Sequence, residues 1–153
     1  MRFRSVHPTR SIAAVALVAV LAAAPASCGS DAAGDLELVA ADRTSELTTG
    51  GQTMSPEDPR EDLLLVVEVG GLTYEEFEAV AKSANVTHVG PTGGVVIRRP
   101  SMTRLSRVSS GENVATLLVV VTVPRSAERY EFHLDGQPPL RIDAPPMVYT
   151  LDV

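Results

Sequence analysis

The chain has 153 residues, with 13 Lys or Arg against 19 Asp or Glu and a formal charge of −6. A single cysteine excludes an intrachain disulfide and any multi-cysteine zinc or iron–sulfur site. Aromatics at 4% with no tryptophan, on an acidic chain, supply neither the stacking surface nor the clustered positive field that nucleic acid requires, so no nucleic-acid partner is expected.

The first ten residues carry Arg2, Arg4 and Arg10 and no acid, and residues 12–24 (IAAVALVAVLAAA) are apolar without interruption. That run is too short for a spanning helix, which needs about 20 residues. It is also apolar on every face, unlike an amphipathic helix of a folded core. A basic start, a short apolar stretch and a small-residue end together read as a secretory signal peptide over residues 1–27.

Ala26 and Ser27 precede Cys28, and Gly29 follows it. Here the chain resembles a bacterial lipoprotein precursor, whose lipobox sets small residues before an obligatory cysteine. The resemblance implies that Cys28 takes diacylglycerol, becomes the first residue of the mature protein and holds it on the outer face of the cell membrane. Pro25 stands where that family usually has Leu, and Ala24-Pro25-Ala26 is also an A-x-A site for ordinary signal peptidase. The alternative is therefore a soluble secreted chain beginning at Ser27. The sole cysteine falls at the one position a lipoprotein needs, and residues 28–34 have the small, polar composition of a tether. Two acyl chains, at about 0.8 kcal/mol per buried methylene, suffice for stable attachment. Removing residues 1–27 takes away three arginines, leaving ten basic and 19 acidic residues in 126 and a formal charge of −9. A domain this acidic stands off an anionic bilayer on its tether.

Residues 35–153 read as one β-rich domain. Residues 35–41 alternate with Leu36, Leu38 and Ala40 on one face, and residues 42–60 are polar enough to be a long connection. Residues 63–69 (LLLVVEV) form a nearly continuous apolar run ending at Gly70-Gly71, the pattern of an interior strand. Thr73-Tyr74-Glu75-Glu76 has the form of a capping box and opens a helix to about residue 83, with Phe77, Val80 and Ala81 on one face. Residues 85–89 and 95–99 are short strands around Gly90-Pro91-Thr92-Gly93-Gly94, and residues 100–111 look irregular. Residues 114–123 (VATLLVVVTV) make a long strand stopped by Pro124, which cannot donate to a ladder. Tyr130, Phe132 and Leu134 then alternate with polar residues as its hairpin partner, and residues 140–142 and 147–153 supply two further strands.

The expected fold is mainly β: an antiparallel two-sheet sandwich, immunoglobulin-like, with one short helix. The alternative is an α+β open sheet with the Thr73 helix packed on one face. The strand ending Val123-Pro124, followed by Tyr130-x-Phe132-x-Leu134, resembles immunoglobulin-like domains of small bacterial cell-envelope lipoproteins, over roughly the last 40 residues. The cysteine pair and tryptophan of a true immunoglobulin domain are absent.

The mature chain has His88 and His133 outside any H-E-x-x-H arrangement, and no G-x-S-x-G elbow. His133 falls on the polar face of its strand, and His88 is expected at a strand edge. The loop of residues 90–94 lacks the Lys and Ser/Thr of a phosphate loop and reads as a turn. Glu57, Asp58, Glu61 and Asp62 crowd one loop without the spacing or glycine of a calcium site, so no metal or other cofactor is expected. Arg98, Arg99, Arg104 and Arg107 form the one basic cluster, either a docking patch for an anionic envelope protein or polymer or a charge balance with neighbouring carboxylates. These features favour a non-catalytic binding or accessory domain, anchored outside the membrane. The competing readings are an envelope enzyme built around His88, His133 and a carboxylate, and the soluble secreted protein.

Overall fold

The computed structural model describes residues 34–108 and 114–153; residues 1–27, read above as a signal peptide, and Cys28 with residues 29–33, read as the lipidation site and tether, lie outside them. The described domain is mainly β, with ten strands in two sheets and one short helix. The strands are β1 (Glu37–Thr49), β2 (Gln52–Met54), β3 (Asp62–Gly70), β4 (Asn85–Val89), β5 (Val95–Arg98), β6 (Met102–Arg107), β7 (Ala115–Pro124), β8 (Arg129–His133), β9 (Leu140–Asp143) and β10 (Met147–Asp152). The first sheet has the order β10-β1-β3-β7-β6, with β2 paired to β1; the second has the order β5-β4-β8-β9. All pairings are antiparallel except β1 with β10. Chain order places β1, β3, β7 and β6 where an immunoglobulin sandwich has strands A, B, E and D, and β5, β4, β8 and β9 where it has C′, C, F and G.

The centre of the first sheet is the pair β3–β7, in register from Asp62↔Pro124 to Val69↔Leu117. Alternation sends Leu63, Leu65, Val67 and Val69, with Leu117, Val119, Val121 and Val123, to the inner face, against Val86, Tyr130, Phe132 and Ile142 of the second sheet. The residues between them are apolar too. Leu64, Val66, Leu118 and Val120 form a second cluster on the outer face with Leu47 of β1 and Leu151 of β10, while Met54 and Met102 pack at its border.

Covering that outer face requires β1 to be long. Its first half pairs with β3 as far as Thr44↔Leu64, and its second half leaves β3 for β10 and β2. Where the strand changes partner, the fully buried Thr44 hydroxyl accepts from the Glu46 amide at 3.1 Å and lies 3.1 Å from the Tyr149 carbonyl. The stretch expected as a connection, residues 42–60, is thus half strand. Its Thr, Ser and Gly residues are those of a β-hairpin, with Gly50 and Gly51 both left-handed in the two-residue turn. Likewise residues 102–107, expected to be irregular, form edge strand β6 beside β7; their polar alternation hides a strand whose pairing comes from its neighbour.

The helix α1 (Tyr74–Val80) starts as expected. The Thr73 hydroxyl accepts from the Glu76 amide, the Glu76 carboxylate accepts from the Thr73 amide at 2.8 Å, and Phe77 is fully buried. One 3-10 turn, Ala81–Ser83, continues it into β4. Before the helix, Gly34 and Gly71 pass backbone to backbone. A Cβ on Gly34 would lie 1.9 Å from the Gly71 carbonyl oxygen, so the N-terminal end of the domain is pinned at the far end of β3.

The strand after Pro124 is not the hairpin partner of β7. Residues Arg125 to Glu128 carry the chain across to the other sheet, where β8 lies between β4 and β9. The crossing is fixed by Tyr130, whose hydroxyl donates to the Ala127 carbonyl three residues back, the tyrosine corner of immunoglobulin sandwiches. Burial pushes that hydroxyl above the usual tyrosine range, against the opposing pull of the Arg43 guanidinium. In antibody domains a disulfide cysteine stands two residues beyond this tyrosine; here the place is filled by Phe132, fully buried.

Phe132→Ala is expected to lower unfolding free energy by about 3–5 kcal/mol in chemical denaturation, since it empties a ring-sized volume between the sheets. A second outcome concerns Asp42 on β1, whose carboxyl burial raises above its ordinary value of 3.8. A raised folded-state value penalises the fold above that value, and the penalty disappears below the unfolded-state value. Asp42→Asn should therefore raise the thermal midpoint at neutral pH. The gain over the native chain should close as pH falls below about 3.8.

Candidate binding face

The outer face of the second sheet is set by alternation along four short strands. Val86, His88, Tyr130, Phe132 and Ile142 point to the core. Their neighbours therefore point out: Val95 and Ile97 from β5, Thr87 and Val89 from β4, Arg129, Glu131 and His133 from β8, Arg141 and Asp143 from β9. Register arranges these in rows. One row runs Ile97, Thr87, Glu131, Arg141; the next holds Val95 and Val89 at one side and Arg129 and Asp143 at the other.

The β5–β4 side is apolar and wet. Val89, Val95 and Ile97 are 64%, 71% and 66% exposed, an unusual density of large apolar side chains on adjacent strands. The β8–β9 side is a checkerboard of charge. Arg129 lies 4.0 Å from Asp143 and Arg141 3.7 Å from Glu131, loosely paired, all exposed but the half-buried Glu131. With Glu128, Tyr130 and Ala144 these residues line a shallow concavity of about 690 Å3. Its rim is held firmly. Ala144 adopts a left-handed conformation, φ 42°, held by the hydrogen bond its amide donates to the Glu128 carbonyl at 2.7 Å. The Arg43 guanidinium donates to the carbonyls of Pro145 and Ala127, tying the β9–β10 link to the sheet crossing. Beside it, Gly90 to Gly94 form the β4–β5 hairpin: the Gly93 amide bonds to the Gly90 carbonyl, Pro91 presets the turn and Gly93 is left-handed. It is a turn, as its lack of phosphate-loop residues implied.

The two histidines face opposite sides of this sheet. His88 is not at an edge: it is buried in central strand β4, pointing to the core, where short strands and a Thr-His-Val context had hidden its neighbours. Its Nε2 accepts from Arg98 Nε at 3.5 Å, leaving Nδ1 to donate to the Val89 carbonyl. His133 is outside, half-buried, with Nε2 3.1 Å from the Thr87 hydroxyl and 3.7 Å from the Glu131 carboxylate. A hydroxyl–imidazole–carboxylate relay needs the nucleophile on one ring nitrogen and the carboxylate on the other. Here both meet Nε2, so the trio has no relay geometry. Among the described residues, no group of three or more His, Cys, Asp or Glu could hold a metal ion.

The four arginines of the basic cluster are dispersed. Arg98 is turned to His88; Arg104 Nη1 donates to the Thr49 hydroxyl at 2.7 Å; Arg107 lies 4.2 Å over the Tyr74 ring and 3.8 Å from Glu75. Arg104 and Arg107, three residues apart on β6, face opposite sides of their sheet. Arg99 is exposed and has no hydrogen bond or ion pair among the described residues. Proximity in sequence did not become proximity of side chains. The residues of the outer face were not singled out by motif. Their signal was the run Val95-Val96-Ile97, too apolar for a turn-flanked strand at a sheet edge.

No known family, curated protein or solved structure matches this chain.

The checkerboard contributes little to stability, because exposed pairs near 4 Å are screened and each orders two side chains. Asp143→Asn and Arg141→Gln are each expected to change unfolding free energy by less than about 0.5 kcal/mol in denaturant titration.

Proposed function

We propose that this is a lipid-anchored extracytoplasmic protein whose β-sandwich is a non-catalytic binding or accessory domain of the cell envelope, with the outer face of β5-β4-β8-β9 as its binding surface. The observation that carries the anchor is the coincidence of the sole cysteine with the end of a signal peptide. The binding surface rests on the exposed Val89, Val95 and Ile97 beside loosely paired charges, on a rim stiffened from three directions.

Geometry supports one orientation. The domain begins at Gly34, pinned beside Gly71 at the end of β3. The concavity lies toward the opposite end, since Arg125, just ahead of β8, bonds to the Glu61 carbonyl where β3 begins. Nine strand residues at about 3.3 Å each separate the two ends by roughly 30 Å. A lipid on Cys28 would keep the Gly34 end near the bilayer and turn the concavity away from it. The membrane would then leave the binding surface free, and the acidic domain would stand off anionic headgroups.

The test is the mass of the N-terminal peptide from the protein's own cells, with Cys28→Ser as control. A peptide beginning at Cys28 with diacylglycerol mass is the expected result. An unmodified peptide beginning at Ser27 would replace the anchored protein with a diffusible secreted one.

A further inference from the structure

The two rows of the outer face are complementary to each other. Position by position, Val95 in one row corresponds to Ile97 in the other, Val89 to Thr87, Arg129 to Glu131 and Asp143 to Arg141. A two-fold axis lying in the plane of the face, across the strands and midway between the rows, exchanges them. Every arginine of one copy then meets a carboxylate of the second. The apolar residues of β5 meet one another, and Val89 covers the Thr87 methyl. A surface that maps onto its own complement under a two-fold is what an isologous dimer requires.

We propose that the outer face of β5-β4-β8-β9 is a homodimer interface, its occupant a second copy of this chain packed sheet to sheet. This deepens the reading of the face as a binding surface and does not depend on the lipid. Three further observations favour a second copy. The four charges of the checkerboard cancel, so the face is locally neutral on a strongly acidic chain, and association there avoids the repulsion that other faces would meet. The charged pairs lie at 3.7–4.0 Å, too long for good intrachain hydrogen bonds, so their donors and acceptors are free to bridge copies. Edge-to-edge addition at β5 is opposed by Arg98, whose inward-turned side chain marks a guarded edge, so stacking through the face is the open route.

Size sets the strength. Four strands about 4.8 Å apart, each near five residues of about 3.3 Å, make a face of roughly 19 by 16 Å. That is about 300 Å2 per copy, below the roughly 1,200–2,000 Å2 total of standard interfaces, and corresponds to a weak, transient dimer. Two chains held on one membrane would raise their effective concentration toward the millimolar range, where such a dimer fills.

The experiment is sedimentation velocity on the mature chain, with cysteine capped, up to about 1 mM. The wild type is expected to move from monomer to dimer as concentration rises. Ile97→Glu places a carboxylate in the apolar contact and should weaken association about tenfold or more, with its thermal midpoint retained. The decisive variant exchanges all four charges: Arg129→Glu, Glu131→Arg, Arg141→Glu and Asp143→Arg together. It keeps the checkerboard inverted, so it should dimerise with itself as the wild type does but not with the wild type. A monomer throughout the range overturns the proposal, as does a dimer indifferent to Ile97→Glu or a four-charge variant that mixes freely with wild type. None of these results bears on the acyl mass of Cys28, so the anchor and the dimer stand or fall separately.

Discussion

The constraint on which this structure depends is that its two central strands are apolar on both faces. β3 and β7 lie side by side with hardly a polar residue between Leu63 and Val69 or between Leu117 and Val121. A sheet built on such a pair needs cover above and below, because each exposed valine or leucine forgoes about 1.5–3 kcal/mol of burial. The second sheet covers the inner face. The outer face is covered by the chain folding back on itself: β1 outlasts its pairing with β3, turns at Gly50-Gly51 into β2, and takes β10 alongside in parallel. The parallel pair and the length of β1, the two departures from a plain antiparallel sandwich, both serve this cover.

The second sheet inherits its character from the first. Because its inner face is committed to the core, most of the charged residues of this sheet lie on its outer face, with Arg98 and His88 the exceptions, and the pleat does the sorting. Crossing from β7 to β8 puts Arg129 at one end of the face, and the tyrosine corner, joined by Arg43 at the same Ala127 carbonyl, holds that end in place. The rigidity of the concavity is thus a by-product of how the sheets are connected. A surface with little internal pairing energy sits on a frame that is fully bonded, the arrangement suited to recognition.

The same frame explains why histidine chemistry does not assemble there. One residue of strand separates inside from outside, and His88 falls on the inside while His133 and Glu131 fall on the outside. The Thr87 hydroxyl and the Glu131 carboxylate compete for one ring nitrogen of His133. What remains is a face of mixed charge and exposed aliphatic side chains. The pleat sets residues i and i+2 of each strand on this one face, and along β8 and β9 those two residues carry opposite charge.

Much of the fold was legible in the chain. Continuous apolar runs located β3 and β7, the capping box located the start of α1, and the alternation at Tyr130, Phe132 and Leu134 gave the buried face of β8. These are local signals: periodicity, capping and turn chemistry act over a few residues and survive without tertiary context. Partnership does not. That β7 and β8 belong to different sheets, that residues 102–107 form an edge strand, that β1 runs on through a polar stretch, and that His88 is interior were all decided by which surface lay nearby. The arginine cluster shows the reason most plainly. Arg98, Arg99, Arg104 and Arg107 are neighbours along the chain, but strand pleat and sheet assignment send them in different directions. Val95, Ile97, Glu131 and Arg141, scattered over nearly fifty residues, meet on one face. Sequence by itself determined most of the local structure and carried the pattern from which a signal peptide is proposed ahead of the domain. Tertiary structure alone decided the face proposed for binding, because a face is made by register between strands and no single stretch of chain contains it.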